Sequence, residues 1–476
     1  MNEFQELSEL PVAKPEHWAV VGGGMLGLAT AWKLAKAGQR VTLLEAGDRI
    51  GGLTSSWSLG EVEWDKFYHV ILLSDSKLRA LLDEVGLDQE IRWVTTRTGF
   101  FSDGKLHSLS SSWEFLRFPP LSLWQKFRLG LTIFLASKIR NSSKLERIPV
   151  ADWLRKMSGE KTFQKIWLPL LKAKLGEAYK RTSAAFIWSY IDRMYKARRS
   201  GMKREMFGYV PGGYRRILNV LTDELGKLGV EIQTASPVTQ VTYDPKDECL
   251  EVHHGRAGNQ SSTRFDRVVM TVPNPLISRT CPQLTRDEHL SLTDAEYLGV
   301  ACTSLLINQP LGGYYVTNIT DAWVPLTGII EMGAIVKPEY MDGHYLVYLP
   351  QYLLSDDPRF EESDEAIHER CLSTLEKIYP HFNRQHVSAI QTARARHVMT
   401  LPTLNYSQHL PPVISSVPGL YLLNSAQVTV GNLNVNETIE IVERELTSSI
   451  LPDIGRPRRK WDSTEAAELV QANEAN

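Results

Sequence analysis

The chain has 476 residues, of which 43% are hydrophobic, and its formal net charge is −2. This length exceeds what one hydrophobic core usually holds, so we expect two domains. The near-neutral charge, with no lysine-rich block, argues against nucleic acid as a partner, because neutralising phosphates requires a basic face.

The first predicted elements are a strand, a glycine-rich turn and a helix. An apolar run at 18–21 leads into the sequence Gly22-Gly23-Gly24-Met25-Leu26-Gly27. In a dinucleotide-binding turn, Gly22 permits the tight bend, Gly24 lets a pyrophosphate approach the backbone, and Gly27 lets the helix pack closely on the strand. The order of strand, glycines and helix therefore predicts that a dinucleotide binds here.

The helix and the next strand extend this prediction. Apolar residues at helical spacing predict a helix over 25–37, whose first amides, at Met25 and Leu26, would point at the phosphates. A short strand at 40–44 ends at Glu45, about 20 residues after the glycines, where a carboxylate accepts hydrogen bonds from a ribose. An acid at this position disfavours a 2′-phosphate, so NADP is not expected.

A second glycine turn follows Glu45. Arg49, Gly51, Gly52 and Leu53 form a loop that could reach back to the same pyrophosphate. The pattern E-x-x-x-R-x-G-G resembles the extended fingerprint of FAD-binding oxidoreductases, specifically the flavin amine oxidase superfamily, which includes protoporphyrinogen oxidase and phytoene desaturase. The resemblance implies FAD as the cofactor.

The resemblance also implies the fold. We expect an α/β protein with a Rossmann-like FAD-binding domain, GR2-type with the topology of p-hydroxybenzoate hydroxylase, and an inserted mixed α+β substrate domain. The expected FAD-binding domain is discontinuous and takes residues 17–75, 205–274 and 412–452. The expected substrate domain takes 76–204 and 275–411, and residues 453–476 are expected to form a flexible tail.

A long helical region is predicted from about residue 76 to 199. Within it, segment 113–140 combines six Trp and Phe residues with five cations, a composition that suits the headgroup boundary of a membrane. One interpretation is a peripheral membrane contact through 113–140. The alternative is an amphipathic helix pair that covers the substrate cavity.

The remaining predicted elements return the chain to the first domain. They are a helix from about 213 to 228, strands at 230–232 and 238–241, a hairpin into 250–252, strands at 265–272 and 419–423, and a helix at 435–450.

By the resemblance, the backbone of Val238 contacts the adenine, and the amides of Val435 and Asn436 face the pyrimidine edge of the flavin. Asn424 and Ser425 stand where many relatives have Gly-Asp. An amide and a hydroxyl at this position could still form hydrogen bonds to the cofactor.

The candidates for catalysis have no fixed spacing, because the flavin carries the redox chemistry. Tyr68 and His69 follow the glycine turns at the point where related enzymes pass the isoalloxazine, although His69 could equally be a hydrogen-bonded core residue. Lys174 resembles the lysine that holds water near N5 in amine oxidases. Lys172 and Lys174 cannot share one helix face, so at most one points inward.

Arg394 and Arg396 form a cationic strand pattern that could meet an anionic substrate, although structural ion pairs explain it as well. They motivate one alternative function, a reduced-flavin sugar-nucleotide isomerase similar to UDP-galactopyranose mutase. A second alternative is a non-catalytic flavin-binding partner protein. The favoured interpretation is an FAD-dependent oxidoreductase that removes a hydride from a small organic substrate over flavin N5.

The cysteines are far apart, with no CxxC pair, so neither a metal site nor a disulfide framework is predicted. No cysteine follows Cys371, so the C-terminal cysteinyl link of monoamine oxidases cannot form, and we expect non-covalent FAD. Residues 1–16 lack the pattern of a signal peptide. We expect a cytoplasmic location, peripheral at the inner face of a membrane if 113–140 binds lipid. The sequence does not predict the substrate or the oligomeric state.

Overall fold

The computed structural model of the protein describes residues 15–198, 206–429 and 433–456. Its strands, in chain order, are β1 (His17–Val21), β2 (Arg40–Leu44), β3 (Ser56–Leu59), β4 (Val62–Asp65), β5 (Ile71–Leu72), β6 (Arg92–Thr95), β7 (Thr98–Ser102), β8 (Lys105–Ser108), β9 (Met206–Tyr209), β10 (Glu231–Gln233), β11 (Val238–Asp244), β12 (Cys249–His254), β13 (Ser261–Phe265), β14 (Arg267–Met270), β15 (Tyr297–Ile307), β16 (Val316–Ile319), β17 (Gly328–Glu331), β18 (Tyr345–Leu354), β19 (Val387–Thr400) and β20 (Leu420–Leu422).

The helices of the described residues are α1 (Met25–Lys36), α2 (Ser76–Glu84), α3 (Ser112–Arg117), α4 (Leu123–Ala136), α5 (Val150–Ser158), α6 (Glu160–Thr162), α7 (Leu168–Leu175), α8 (Ala184–Arg198), α9 (Gly213–Lys227), α10 (Asn274–Thr280), α11 (Arg286–Thr293), α12 (Asp364–Ile378) and α13 (Val435–Glu445).

A parallel sheet forms the first layer of the molecule. Its described strands lie in the order β10-β2-β1-β14-β20, and every neighbouring pair is parallel. This is the strand order of a dinucleotide-binding sheet, with β1 at the centre. All five strands come from the segments assigned to the FAD-binding domain, and the predicted α/β class is confirmed.

The core beneath this sheet is built by α1, α9 and α13. Nine of the twelve residues of α1 are buried, so the helix is apolar almost all round, as expected for a helix enclosed between a sheet and other helices. Its Leu28 and Leu34 pack in one cluster with Ile217 of α9 and Ile439 of α13. The N-terminus of α1 is therefore fixed against the end of β1.

Besides the antiparallel pair β3-β4, two smaller sheets complete this part of the chain. The predicted hairpin is confirmed, since β11 and β12 pair antiparallel and β13 continues the sheet. In the second sheet, β9 lies between β5 and β6. Because β5 and β6 lie on opposite sides of the boundary expected at residues 75 and 76, this sheet joins the two expected domains. The domain boundaries stay a prediction.

The second layer is a mixed sheet in the order β19-β15-β18-β17-β16-β7-β8. The described pairs are antiparallel except for β16 with β7. Strand β15 is buried along its whole length, because β18 and β19 flank it and α12 packs nearby. The seven strands of this sheet come from the segments assigned to the substrate domain.

The expectation of a helical region from about 76 to 199 is wrong for 92–108, where β6, β7 and β8 lie. Asp103 and Gly104 both adopt positive φ angles, +55° and +70°, between the paired residues Ser102 and Lys105. An Asp-Gly pair between two apolar runs is a strong hairpin signal, because both central residues of a type I′ turn need φ above zero. The local turn chemistry thus overrides the helical interpretation.

The expectation that the flexible tail begins at residue 453 is also wrong. Asp453 accepts hydrogen bonds from Tyr421 and from Arg267, at 2.7 and 3.1 Å, and Arg267 is 2% exposed. The chain is therefore held at Asp453, because this carboxylate neutralises a buried guanidinium. Residues 457–476 lie outside the described part of the chain.

Candidate functional site

The glycine-rich turn lies between the end of β1 and the start of α1. Gly22 has a φ of +112°, a conformation that favours glycine. A Cβ at Gly27 would lie 1.9 Å from the carbonyl oxygen of Gly22, so a larger residue would push the helix from the strand. A Cβ at Gly24 would meet no atom within 4 Å. Open space therefore lies beside Gly24, where the sequence predicts the pyrophosphate.

The N-terminus of α1 has no side-chain cap. Its N-cap residue is Gly24, and the first turn holds no acid. The first amides of a helix need an acceptor, and they carry the positive end of the helix dipole. The amides at Met25 and Leu26 are thus suited to an anionic group placed in the open space beside Gly24.

Glu45 lies directly beside this turn. One carboxylate oxygen accepts the amide of Gly23 at 2.6 Å, and the other accepts the amide of Gly47 at 2.7 Å. Each carboxylate oxygen has a further lone pair, so the group can still accept ribose hydroxyls. Glu45 therefore has a second role that the sequence did not predict, because it also holds the backbone on both sides.

The second glycine turn packs on the first. The Gly51 amide donates to the carbonyl of Gly23 at 2.7 Å, and a Cβ at Gly52 would lie 3.2 Å from the Cα of Gly24. Gly51 and Gly52 have φ angles of +119° and +54°, and Leu53 continues the turn in a short 3₁₀ helix, Gly52–Thr54. Both turns hence border the same open space.

Arg49 does not lie where the sequence predicts it. Its side chain is 72% exposed and pairs with Glu63 of β4 at 3.3 Å, and Glu63 also pairs with Arg215 at 2.7 Å. The carboxylate on the neighbouring hairpin competes with the expected phosphate for this guanidinium. The structure therefore gives Arg49 an exposed ion pair and no contact with the glycine turns.

Val238 lies at the start of β11, close to Glu45. The preceding segment is tied to the end of β2, since the Ser236 amide donates to the Glu45 carbonyl at 2.8 Å. Val238 pairs with His254, but the register shifts before Gln240. Such an irregularity leaves backbone groups outside the ladder. A free backbone edge is what the expected adenine contact requires.

The hydrogen bonds of Asn424, which follows β20, explain why an amide side chain lies at this position. Its side-chain amide donates to the carbonyl of Val272 and to the side chain of Asn274, at 3.0 and 2.7 Å. The glycine that many relatives have at this position has no side chain to form these bonds. Ser425 begins the next 3₁₀ turn, Ser425–Gln427, and its side chain is half-buried. The departure from Gly-Asp thus links the ends of two strands.

The N-terminus of α13 holds the two amides that the resemblance assigns to the flavin. The Asn434 side chain caps the helix by accepting the amide of Glu437, so it leaves the amides of Val435 and Asn436 to other acceptors. The Asn436 side chain itself accepts the amides of Lys77 and Leu78 at 2.9 and 3.2 Å. Asn436 therefore holds the first turn of α2 with its side chain.

The fit to a dinucleotide rests on these observations together. The two glycine turns, Glu45 and Asn424 all lie at the carboxyl ends of neighbouring parallel strands, which is where α/β sheets bind ligands. The open space beside Gly24 and the uncapped amides of α1 suit a diphosphate. Arg49 is the one predicted cofactor residue that the structure places elsewhere.

Tyr68 and Lys174 lie together in a second region. The hydroxyls of Tyr68 and Tyr352 are 3.0 Å apart, and the Lys174 ammonium lies 3.0 Å from the centre of the Tyr352 ring. Burial is the largest influence on the pKa of Tyr68 and of Tyr190, raising both, yet both side chains keep accessible surface. Because these side chains lie deep in the molecule yet keep accessible surface, we infer that they border a cavity.

Lys174 carries a charge in this cavity. Burial lowers its pKa, but the hydroxyls of Tyr190 and Tyr352 outweigh burial and leave the pKa raised above its ordinary value. Among the described residues, no carboxylate pairs with it. Lys172, two residues earlier, pairs with Glu177 on the surface at 3.5 Å. Of the two lysines, Lys174 alone points inward.

His69 is neutral in this environment. Burial lowers its pKa to about 4. Its Nδ1 lies 2.9 Å from the carbonyl oxygen of Phe67, which can only accept, so Nδ1 carries the proton. The ring packs on Tyr214 with centroids 5.0 Å apart. The Nε2 lone pair is therefore available as an acceptor, and His69 cannot serve as an acid at neutral pH.

Asp65 is a buried acid that the sequence did not single out. Its carboxylate accepts the amide of Tyr214 at 2.9 Å, and burial raises its pKa to about 8. The Tyr348 hydroxyl donates to the Asp65 carbonyl at 2.6 Å. Asp65 thus ties the segment before Tyr68 to both α9 and β18, and it is protonated at neutral pH.

Arg396 does not face the cavity. It pairs with Glu361, donates to the carbonyl of Ser355 at 2.7 Å and lies over the Phe360 ring. Arg394 likewise pairs with Asp364, at 2.6 Å. The interpretation of these arginines as a receptor for an anionic substrate is therefore replaced by the structural alternative, because acids of the neighbouring segment occupy both guanidinium groups.

Besides Asp65, two residues of this region were not predicted from the sequence, Tyr190 and Tyr352. They lie on α8 and β18, more than 100 residues from Tyr68, in stretches with no recognisable motif. Only the tertiary arrangement brings them to Lys174. No group of histidines, cysteines and acids in the described residues could hold a metal ion.

Comparison with known proteins adds a family. The model of the flavin-containing amine oxidoreductase family matches residues 26–424. Two curated relatives are 15-cis-phytoene desaturases. The protein from Narcissus pseudonarcissus is 22% identical over 385 residues, 76% of this chain and 65% of that protein. The protein from Arabidopsis thaliana is 24% identical over 392 residues, 77% of this chain and 67% of that protein. The matches thus span about two thirds of these relatives.

Solved structures share the fold. A provisionally named protoporphyrinogen oxidase from Exiguobacterium superposes with a TM-score of 0.71 and 18% identity, covering 93% of this chain and all of that chain. Putrescine oxidase bound to putrescine superposes with a TM-score of 0.66 and 18% identity, covering 92% and 99%. At these identities the likeness establishes the fold alone.

Proposed function

The chain belongs to the family of flavin-containing amine oxidoreductases, and we propose that it is an FAD-dependent oxidoreductase acting on a small organic substrate in the cavity of Tyr68 and Lys174. The observation that carries the proposal is the convergence of two glycine turns, Glu45 and an uncapped helix at one edge of a parallel sheet. FAD is the cofactor of this family, and it accepts the two electrons of the reaction when bound.

The residues that would hold FAD have separate tasks. Amides at the start of α1 would bind the diphosphate, Glu45 the ribose, and the backbone near Val238 the adenine. The amides of Val435 and Asn436 would stabilise negative charge at the far end of the ring system. The described cysteines are free, and three of the four are buried, in keeping with non-covalent binding.

The cavity favours particular substrates. Tyr68, Tyr190 and Tyr352 offer aromatic faces, and Lys174 supplies a positive charge with no carboxylate partner among the described residues. A protonated amine would be repelled by this ammonium, whereas an uncharged or anionic molecule would not. We therefore infer an apolar or anionic substrate, and the neutral ring of His69 adds no charge that would oppose either.

The sugar-nucleotide isomerase hypothesis loses its motivation. It depended on Arg394 and Arg396 as a receptor for phosphate, and both are paired with acids away from the cavity. The hypothesis of a non-catalytic partner was motivated by the altered motif Asn424-Ser425 and by the aromatic and basic segment 113–140. The hydrogen bonds of the Asn424 amide explain that residue without a loss of cofactor binding.

The first test is the visible spectrum of the purified protein. We expect a yellow protein whose flavin is released on denaturation, and a colourless protein that gains no thermal stability from added FAD would overturn the cofactor assignment. The second test is anaerobic bleaching of the flavin. We expect bleaching by an isoprenoid hydrocarbon such as phytoene or by a long-chain carboxylic acid, with putrescine as the matched amine. Bleaching by putrescine alone would refute the inferred substrate class.

We also propose a cytoplasmic location. No described helix is both long and apolar enough to cross a bilayer. Fractionation of cells that produce the full chain tests the proposal, since release of the protein into the periplasm or medium would contradict it.

A further inference from the structure

Two neighbouring helices present an unusual surface. Trp113 and Leu116 of α3 and six residues of α4 are exposed large hydrophobic side chains, with exposed fractions between 41% and 74%. The six residues of α4 are Leu123, Trp124, Phe127, Leu131, Phe134 and Leu135. We refer to these eight side chains as the outer face.

The two helices that carry the outer face are well formed. Capping boxes begin both α3 and α4, at Ser111 and Ser122, and the Lys126 ammonium donates to the Leu116 carbonyl at 2.7 Å, joining the two helices. The inner side of α4 packs through Leu129 and other residues into the core of the helical region. Every position of α4 that is classed as exposed nevertheless carries a large apolar residue.

This pattern is the reverse of that expected for a helix surface in contact with water. A surface helix carries polar residues opposite its buried stripe, and a helix that is apolar on all sides is normally covered. A large side chain has on the order of 150–200 Å² of surface, so eight that are about half exposed offer roughly 600–800 Å². That area is at or above the largest apolar patch of a typical monomer, roughly 300–600 Å².

The charges of the segment that carries the outer face are mostly positive. The exception is Glu114 of α3, whose carboxylate accepts the amides of Ser110 and Ser111 at 2.7 and 3.1 Å. No aspartate or glutamate occurs from residue 115 to 145, whereas this stretch holds six lysines and arginines. Two of the six make internal hydrogen bonds, Lys126 as described and Arg128 to the Lys156 carbonyl at 3.0 Å. The other four are exposed, and none forms an ion pair with a described residue. They are Arg117, Lys138, Arg140 and Lys144.

Two of these cations lie directly on aromatic rings of the outer face. The Arg117 guanidinium is 4.4 Å from the centre of the Trp113 ring, and the Lys138 ammonium is 5.2 Å from the centre of the Phe134 ring. Long cationic side chains that lie along apolar surface keep their charge at its edge. This arrangement places apolar groups and positive charge at adjacent depths, as a lipid interface requires.

We propose that the outer face binds the surface of a membrane that contains anionic lipids. The apolar side chains enter the headgroup boundary, and the four exposed cations meet lipid phosphates. A second copy of the chain is a poorer occupant, because a twofold contact through this face would bring like charges together. The sequence analysis left membrane contact and a cavity-covering helix pair open, and the inner and outer sides of α4 are compatible with both.

Vesicle flotation with the full chain tests the proposal, using phosphatidylcholine vesicles with and without phosphatidylglycerol. We expect the wild-type protein to float with the mixed vesicles and less with phosphatidylcholine alone. The variant Trp124→Ser/Phe127→Ser/Leu131→Ser should lower the bound fraction about tenfold or more, because it removes three inserted side chains. The substituted positions are exposed, so the variant should keep the wild-type melting temperature.

Matched variants separate apolar contact from charge. Trp323→Ser removes an exposed tryptophan of the second layer, 47% exposed, and should float as the wild type does. Arg117→Gln/Lys138→Gln should abolish the preference for phosphatidylglycerol. The control Lys246→Gln/Arg279→Gln loses the same charge at exposed positions elsewhere and should keep that preference.

Three results would overturn the proposal. They are a wild type that floats with neither vesicle, a triple variant that floats like the wild type, and a wild-type dimer that the triple variant converts to a monomer with no flotation of either protein. The last result would assign the outer face to a second copy. Flavin absorbance is recorded separately, so colourless protein that floats would refute the proposed function and leave this inference intact.

Discussion

Replacing Glu45 by alanine should release FAD for two reasons. The carboxylate is the expected acceptor for the ribose, and it also accepts the amides of Gly23 and Gly47 at 2.6 and 2.7 Å. Glu45→Ala removes the carboxylate, so the ribose and the amides of Gly23 and Gly47 all lose their acceptor. Glu45→Gln is the graded variant, because its amide keeps one acceptor oxygen and turns an N–H group toward the other amide.

The magnitude follows from the ribose contact. A hydrogen bond to a charged group contributes about 1.5–3 kcal/mol. Since about 1.4 kcal/mol is a factor of ten in Kd, Glu45→Ala should weaken FAD binding about ten- to 150-fold. Loosening of the glycine turns can only add to this value. Glu45→Gln should fall between the wild type and Glu45→Ala.

The assay is a titration of deflavinated protein with FAD, followed by flavin fluorescence. Glu231→Ala is the matched control, because Glu231 is an exposed acid of β10, the neighbour of β2 in the same sheet. It should bind FAD as the wild type does. An unchanged Kd for Glu45→Ala, in protein with the wild-type melting temperature, would refute the role of Glu45 in both the ribose contact and the turn.

Four further substitutions test separate features. Gly27→Ala should lower the melting temperature by several degrees in a thermal scan, because overpacking against Gly22 costs about 1–3 kcal/mol. Gly24→Ala should leave the melting temperature unchanged and weaken FAD binding, because its Cβ would enter the open space. The pKa of Asp65 rises from 3.8 to about 8, so the folded state keeps a proton that the unfolded state loses. Stability should therefore fall as the pH rises from about 4 to about 8. Asp65→Asn should reduce that fall in melting temperature, and an identical slope would contradict the assignment. Lys174→Met should slow substrate-dependent bleaching and leave the flavin content unchanged; equal bleaching rates would remove Lys174 from the substrate cavity.

Much of the parallel sheet could be predicted from local pattern. The run 18–21, the glycine turn and the strand ending at Glu45 each carry a signal within a few residues, and β1, α1 and β2 follow it closely. The hairpin β7-β8 was missed although Asp103-Gly104 is an equally local signal. There, the helical interpretation of the surrounding region was given more weight than turn chemistry.

Some residues of the candidate site could likewise be predicted from local pattern, and others could not. The glycines and Glu45 could be found because cofactor binding requires them at set spacings. The ion-pair partners of Arg49 and Arg396 could not be predicted, because a cation's partner depends on acids that are distant in sequence or on another strand, as Glu63 is for Arg49. Tyr352 has no local signal, because only the pairing of β18 brings it to Lys174.

The hydrogen bond from the Gly51 amide to the Gly23 carbonyl joins the two glycine turns before any ligand arrives. The pocket rim is consequently preorganised, and little of the binding free energy is spent on ordering loops. Damage to either turn should be transmitted to its neighbour, so substitutions at Gly23 and Gly51 should be non-additive in a double-mutant cycle.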